Sequence, residues 1–332
     1  PHSFRNYSKE HFGKRFDELV PQTKADGTVD DFRMHYFDIR FSNICNFKCR
    51  TCGSEFSSQW GAEMRANHDP KHPILIHADD QTGTVIEEVI EHIDEIDLCY
   101  FAGGEPMITE EHYMLIDEMI DKKKTNIQLR YNTNISNLKY KKRDIFKLWQ
   151  HFDKPIQIYA SIDHMGDKAE YIRYGTKWKT IETNLKKLKK AQNIIFQVNT
   201  VYSIFNALTI SHFYKYMIDN HFYTPESPVW TLYSMGSPEH LSSHVLPGGY
   251  KDQALEQLHL TIKYMDDLGF RKEQLKEIEQ VIPWLNSKDI WNEQELEFKE
   301  EIKRIDALRG EDFMKTFPEL GALYKVPESL RP

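Results

Sequence analysis

The chain has 332 residues, 40% of them apolar and 13% aromatic. That is enough for a sizeable core and excludes an intrinsically disordered chain. Lys and Arg number 43 against 51 Asp and Glu, a formal net charge of −8, which makes a non-specific nucleic-acid binder a poor candidate. No stretch approaches 18 uninterrupted apolar residues, so a membrane-spanning helix is excluded. The opening Pro-His-Ser-Phe-Arg-Asn lacks the apolar core of a signal peptide.

Short β-like runs then alternate with helical patterns. Residues 1–34 carry little periodicity and read as an irregular extension. Strands are expected at Tyr36–Phe41, Asp97–Ala102, Ile127–Asn132, Ile156–Ser161, Ile194–Val201 and Val229–Tyr233. Helical patterns intervene at Glu55–Arg65, His112–Lys123, Tyr140–Phe152, Lys179–Gln192 and Ile210–Asn220. Val85, Ile86, Val89, Ile90 and Ile93 add a further apolar stripe. Roughly five or six consecutive β-α units predict a parallel sheet with right-handed crossovers. They are too few for a complete eight-fold barrel and suit an α/β fold, a partial (β/α)6 barrel over 35–235. Met235–Gly249 reads as a loop. The rest of 236–332 is mainly helical, with patterns at Leu255–Leu268, Lys272–Leu285, Glu293–Leu308 and near Phe313–Leu323. The lysine runs at Lys122–Lys124, Lys139–Arg143 and Lys186–Lys190 read as solvated faces.

The four cysteines are Cys45, Cys49, Cys52 and Cys99, and three of them lie within one short segment. A secreted disulfide protein would spread its cysteines; this clustering suggests a metal site in a reducing cytoplasm. The segment Cys45-Asn-Phe-Lys-Cys49-Arg-Thr-Cys52 follows the first strand, at the end where parallel α/β folds bind ligands. Four cysteines are the usual complement of a [4Fe–4S] cluster, and three leave one iron open to a small-molecule chelate. The competing reading is a zinc site closed by His68 or His77. Phe101-Ala-Gly103-Gly104-Glu105-Pro106 ends the second strand. Two glycines there permit close backbone approach, and the turn can offer carbonyls and a carboxylate to the ammonium of a bound amino acid.

Together, C-x₃-C-x₂-C after the first strand and Gly-Gly-Glu-Pro one unit later resemble the radical S-adenosylmethionine (SAM) enzymes. Asn132-Thr-Asn134, Ser161-Ile-Asp163 and Tyr171-Ile-Arg173-Tyr-Gly175 are similar to further motifs of that family. The resemblance covers about residues 36–235 and implies a [4Fe–4S] cluster on Cys45, Cys49 and Cys52. It also implies SAM contacts from Gly103, Gly104, Glu105, Pro106, Asn134, Ser161, Arg173 and Asn199. An external one-electron donor of flavodoxin or ferredoxin type would be a partner. The cysteine phrase, followed by Ser57-Ser-Gln-Trp60, looks like the twitch or SPASM-type branch. Two departures stand out: Thr51 replaces a frequent aromatic residue, and no cysteine follows Cys99, so auxiliary clusters are not expected.

The resemblance implies that one electron cleaves SAM to methionine and a 5′-deoxyadenosyl radical. The radical then takes hydrogen from an unactivated C–H bond inside a barrel lined by aliphatic and aromatic residues. The expected substrate is a peptide or protein. The alternative is a sugar, nucleotide or amino acid, and the third reading is a non-catalytic iron–sulfur or zinc protein. Cys99 reads as a core residue, with hydrogen-atom donation as the alternative. Trp230, Tyr233, Glu239 and His240, with Asp163 and His164, are the substrate-side candidates.

Overall fold

The computed structural model describes residues 20–78, 85–228 and 230–324, together with Lys9, Gly13, Asp17 and Glu18. Val229 and most of the expected N-terminal extension before residue 20 lie outside the described residues. Six parallel strands form one sheet: β1 Tyr36–Ile39, β2 Leu98–Phe101, β3 Gln128–Thr133, β4 Ile156–Ser161, β5 Ile194–Tyr202 and β6 Thr231–Ser234. Their order in space is their order in the chain, β1-β2-β3-β4-β5-β6. β1 and β6 do not pair, so the sheet is a partial barrel. No helix among the described residues is long and apolar enough to cross a membrane.

The helices between strands are α1 Ser58–Asn67, α2 Val85–Glu91, α3 Glu110–Asp121, α4 Ile145–Trp149, α5 Gly166–Ile172, α6 Trp178–Lys190 and α7 Ile210–Asp219. Strand alternation sends successive side chains to opposite faces. Phe37, Ile39, Cys99, Phe101, Leu129, Tyr131, Ile158 and Val198 are all buried and pack on the helix side. There the Phe101 ring meets His112 of α3 at 4.8 Å and Tyr131 at 5.1 Å, and Tyr131 meets Trp149 of α4 at 5.3 Å. The inner face carries the other set. Asp38, Tyr100, Arg130, Gln157 and Ile195 lie in one row across five strands, and Asn132, Tyr159 and Gln197 in the next. Of the expected aliphatic and aromatic barrel interior, the aliphatic part is therefore corrected, while tyrosines do line it. The aliphatic residues cover the helices, because only that face is closed, and the inner face is rich in amides, charges and tyrosines.

Two expected helices break. Within Tyr140–Phe152, Lys139–Tyr140 and Arg143–Asp144 instead pair as a small antiparallel hairpin, with Lys141 at φ 52°, and only α4 is helical. Glu110 draws the hairpin outward by pairing with Lys141 and Arg143, and Arg143 also meets Asp117 at 2.9 Å. That lysine run is thus partly a set of ion pairs and not only a solvated face.

After β6, Met235–Pro247 is the expected loop, buried over His240–Leu246, and Gly248 and Gly249 already open the next helix. The loop contains turns at Glu239–Leu241 and Ser243–Val245, whose Leu241 and Val245 join the core. The remaining helices are α8 Gly248–Asp267, α9 Lys272–Glu279, α10 Val281–Asn286, α11 Trp291–Arg309, α12 Phe313–Thr316 and α13 Gly321–Tyr324. The single helix expected over Lys272–Leu285 divides at Gln280. Pro283 has no N–H to return to the Glu279 carbonyl, so the ladder cannot run through.

Candidate functional site

The cysteine segment is held from several sides. Asn43 donates through its amide to the Ser54 and Ile74 carbonyls (2.8 and 3.0 Å) and accepts from the Ile76 amide (2.9 Å). The Trp60 indole donates to the Cys49 carbonyl at 2.7 Å, and the Ser57 hydroxyl to the Phe47 carbonyl at 2.6 Å. Lys48–Cys49 pairs antiparallel with Arg173–Tyr174, which sets Cys49 opposite Arg173. The second strand end closes on the same segment. Gly104 N–H donates to the Ser42 carbonyl (3.2 Å) and Glu105 N–H to the Ile44 carbonyl (2.7 Å). An alanine Cβ at Gly104 would stand 2.1 Å from the Ile44 oxygen, and Gly103 has φ 103°. The glycines are thus required by close backbone approach and by a left-handed turn.

Cys45, Cys49 and Cys52 line one cavity of about 260 Å³ at the C-terminal ends of the strands. Gly103, Gly104, Asn134, Ser161 and Arg173 line it too, together with Asn132, Phe56 and Val201. Burial pushes all three thiols up, Cys49 to about 12, while the Arg173 guanidinium pulls Cys49 the other way. Arg173 Nη1 lies 3.9 Å from the Cys49 sulfur and its Nε 2.8 Å from Asp163. The Asp163 end of this pair is buried, and its carboxylate also accepts from Val201 N–H at 2.9 Å. Asn199 sits directly opposite Ser161 on the inner face. The Asn199 and Asn132 Oδ1 atoms are buried with no hydrogen-bond partner among the described residues. Asn132 was not among the expected SAM contacts. Its signal is the strand-end Asn132-Thr-Asn134, the same motif that points to Asn134.

Several expectations are corrected. The Glu105 carboxylate does not face the cavity: it is 2% exposed. It accepts from the Thr133 hydroxyl (2.7 Å), Asn134 N–H (2.7 Å) and Met107 N–H (3.2 Å). Burial raises it to about 7 against those three donors. Pro106 is buried and opens the turn Pro106–Ile108. Asn134 lines the cavity, but its side-chain amide donates to Asn46 at 3.1 Å.

On the substrate side, Cys99 is fully buried on the helix-facing side, in the row of Phe37 and Leu129. It packs as a core residue, outside the cavity lined by the clustered cysteines. Asp163 is consumed by Arg173. His164 is buried, its ring nitrogen 3.0 Å from the Thr209 hydroxyl, and burial lowers it to about 3. His240 pairs with Glu297 at 3.3 Å, which turns it toward α11. Trp230 is buried and stacked on Tyr223 at 4.1 Å. Tyr233 remains on the inner face, 54% exposed and opposite Val201 of the cavity. For the zinc reading, His68 contacts Arg304 at 2.6 Å, and His77 pairs through its backbone with Ser42.

A search of the curated proteins gave no match. Among solved structures, the chain is similar to anSMEcpe with bound AdoMet and Cp18Cys peptide, at 15% identity and TM-score 0.46 over 71% of this chain and 60% of that one. It is similar to Streptococcus suis SuiB bound to precursor peptide SuiA, at 14% identity and TM-score 0.47 over 76% and 51%. It is also similar to TYW1 with a lysine-pyruvate adduct, at 14% and 0.38 over 67% and 70%. The chain therefore spans only about half to three fifths of the length of the first two. The family model of the radical SAM superfamily matches residues 39–217, more than half of the chain and inclusive of the three clustered cysteines, the Gly103–Pro106 turn and the Ser161–Asn199 pair, so this protein belongs to the radical SAM superfamily.

Proposed function

We propose that this enzyme cleaves SAM reductively and uses the 5′-deoxyadenosyl radical to take hydrogen from a peptide or protein side chain. Membership of the family brings a [4Fe–4S] cluster and SAM. The residues present suit both. No three His, Cys, Asp or Glu side chains among the described residues sit close enough to share one metal ion. A cluster does not require that, since each of its irons takes one thiolate. Cys45, Cys49 and Cys52 would hold three irons and leave the fourth for SAM. Bound there, the cluster supplies the electron that splits the sulfonium C–S bond.

The chain's own groups have separate tasks in this reading. Arg173, 3.9 Å from Cys49, offsets the negative charge that three thiolates bring together. Its pairing with Asp163 fixes where that charge stands. The Asn199 and Asn132 oxygens, buried without partners, are acceptors waiting for the hydroxyl or amine hydrogens of SAM. Gly103 and Gly104 let the ligand approach the backbone, and Ser161 adds a hydroxyl beside Asn199.

The observation that carries the proposal is that the three thiols, the two glycines, Asn132, Ser161 and Arg173 line one cavity, with Asn199 the strand neighbour of Ser161. A peptide substrate is favoured over a metabolite by the inner face. That face runs from the cavity to exposed Tyr233 and offers side-chain amides at Gln157 and Gln197 in place of a sealed apolar chamber. In this proposal residues 35–235 are the catalytic barrel and 236–332 its helical appendage. The setting is a reducing cytoplasm with a flavodoxin- or ferredoxin-type donor.

The test is anaerobic reconstitution followed by turnover with deuterated peptides and deuterated metabolites. About four irons per chain, 5′-deoxyadenosine formation and its loss in Cys49→Ala are expected, with label arriving from a peptide. One bound zinc and no turnover would overturn the enzyme reading. Label from a small molecule alone would overturn the peptide.

A further inference from the structure

Two cations flank Cys49 in the chain, Lys48 and Arg50, and both are tied to the C-terminal region. Arg50 is buried and pairs with Asp306 on α11 and with Glu311 just beyond it, the latter at 2.8 Å. Its guanidinium lies 3.7 Å from the centre of the Tyr171 ring, and Tyr171 donates its hydroxyl to the same Asp306 at 2.7 Å. The second Asp306 oxygen accepts from Phe313 N–H at 2.7 Å. Gly310, at φ 66°, ends α11 in a left-handed turn and so returns Glu311 toward Arg50.

Lys48 is tied indirectly. It pairs with Glu63 of α1, and Glu63 is gripped by Arg309, the last residue of α11, at 2.9 and 3.3 Å. The Arg309 side chain is wholly buried. It also donates to the Lys48 carbonyl at 2.9 Å and lies 4.6 Å from the centre of the Trp60 ring. Trp60 is the residue whose indole holds the Cys49 carbonyl.

We infer that α11 belongs to the cofactor site: Asp306, Arg309 and Glu311 are positioning residues that fix the backbone around Cys49 through Arg50, Lys48 and Trp60. The reasoning is energetic. Buried charges are costly unless every one is paired, and removing one partner exposes the full desolvation cost of the other. Here each buried charge has its counter-charge on the opposite side of the junction between the cysteine segment and α11. The segment cannot leave its position without stranding Arg50 or Glu63. Iron ligands that must be in place before a cluster assembles gain from such a frame, which supplies order that a flexible loop lacks. The contacts by which this region holds the cysteine segment are ion pairs and hydrogen bonds.

This inference rests on the cysteine assignment, and its test separates the two. Hydrogen exchange is measured on the metal-free full chain, where no cluster is needed, for Glu311→Gln, Arg309→Met and the control Lys299→Met. Lys299 pairs with Glu295 and lies 5.7 Å from the centre of the Trp291 ring, both on its own helix. Exchange at amides 45–53 is expected to rise at least about tenfold in Glu311→Gln and more in Arg309→Met. Other amides of the sheet and the control should stay unchanged. In reconstituted protein, the same variants should surrender iron to a chelator faster by a similar factor. Should Arg309→Met fail to fold, Glu311→Gln, which alters one half-buried partner, carries the decision. Unchanged exchange over 45–53 together with unchanged iron loss in Glu311→Gln overturns the inference. So does a rise spread evenly over the sheet, which would mark a general loss of stability. If the cysteines hold no iron, the exchange result still stands or falls by itself.

Discussion

Replacing Gly104 by alanine isolates the contact between the Gly-Gly turn and the cysteine segment. The new Cβ would stand 2.1 Å from the Ile44 oxygen, 2.6 Å from the Ile44 carbonyl carbon and 2.7 Å from that of Asn43. All three are backbone atoms, so no rotamer change relieves them. The first is about 1.3 Å inside the 3.4 Å at which ordinary contact begins. The backbone preceding Cys45 must move. The bonds from Gly104 N–H to Ser42 and from Glu105 N–H to Ile44 weaken with it. Two weakened hydrogen bonds at about 1 kcal/mol each, plus about 1–3 kcal/mol of overpacking, give a loss of about 3–5 kcal/mol. For a chain of this size that is roughly 4–7 °C in Tm, read by calorimetry on the metal-free protein. Iron uptake on reconstitution should fall as well, because Cys45 moves with Ile44. Gly248→Ala is the control: nothing lies within 4 Å of its Cβ and it opens a helix, so its Tm should hold or rise slightly. A Gly104→Ala protein with the parent's Tm and full iron content would refute the reasoning.

Cys99→Ala should keep its iron and 5′-deoxyadenosine formation while losing about 1 kcal/mol of stability, measured by urea unfolding, because a fully buried thiol leaves a small void; loss of turnover with the cluster intact would return Cys99 to the chemistry. Asn199→Ala should weaken SAM binding about tenfold with no fall in Tm, since its Oδ1 has no partner to lose; unchanged affinity in calorimetric titration would remove it from the site. Burial lowers His112 and His164 to about 3, so their folded-state values lie below the unfolded 6.5. The unfolded chain then binds more protons below pH 6.5. Stability should be level from these groups above that pH and should fall toward pH 4 by up to about 1.4 kcal/mol per pH unit for each histidine. His112→Phe should flatten that slope by about half, and an unchanged acid limb would contradict the assignment.

Much of the barrel was legible because its signals are local. Each strand is a short run with apolar residues at alternate positions, and the register then follows from packing helices on one side. The cysteine spacing and the Gly-Gly pair were readable for the same reason, as consecutive residues whose chemistry is tied to their spacing. What could not be read was direction. Alternation places Cys99 and Phe101 on one face, but only the contact of Phe101 with His112 shows which face meets the helices. Arg173 and Asp163 are close in sequence, yet the placement of their pair depends on the ladder between Cys49 and Arg173. The ties from Arg50 to Asp306 and from Glu63 to Arg309 span most of the chain. No periodicity within a window reports them. The hairpin at residues 139–144 was hidden by a helix-like pattern, and the decisive partner, Glu110, lies in the preceding helix.

Glu105 gives the motif that contains it a different meaning from the one its chemistry suggests. Its two oxygens collect donors from the turn that follows β2 and from the end of β3, so the acid acts as a rivet between neighbouring strands. Such a residue would be demanded by the architecture even in a descendant that no longer bound any nucleotide. Its persistence in distant offshoots would then testify to inherited carpentry, and only the thiols beside it would tell whether the workshop is still in use.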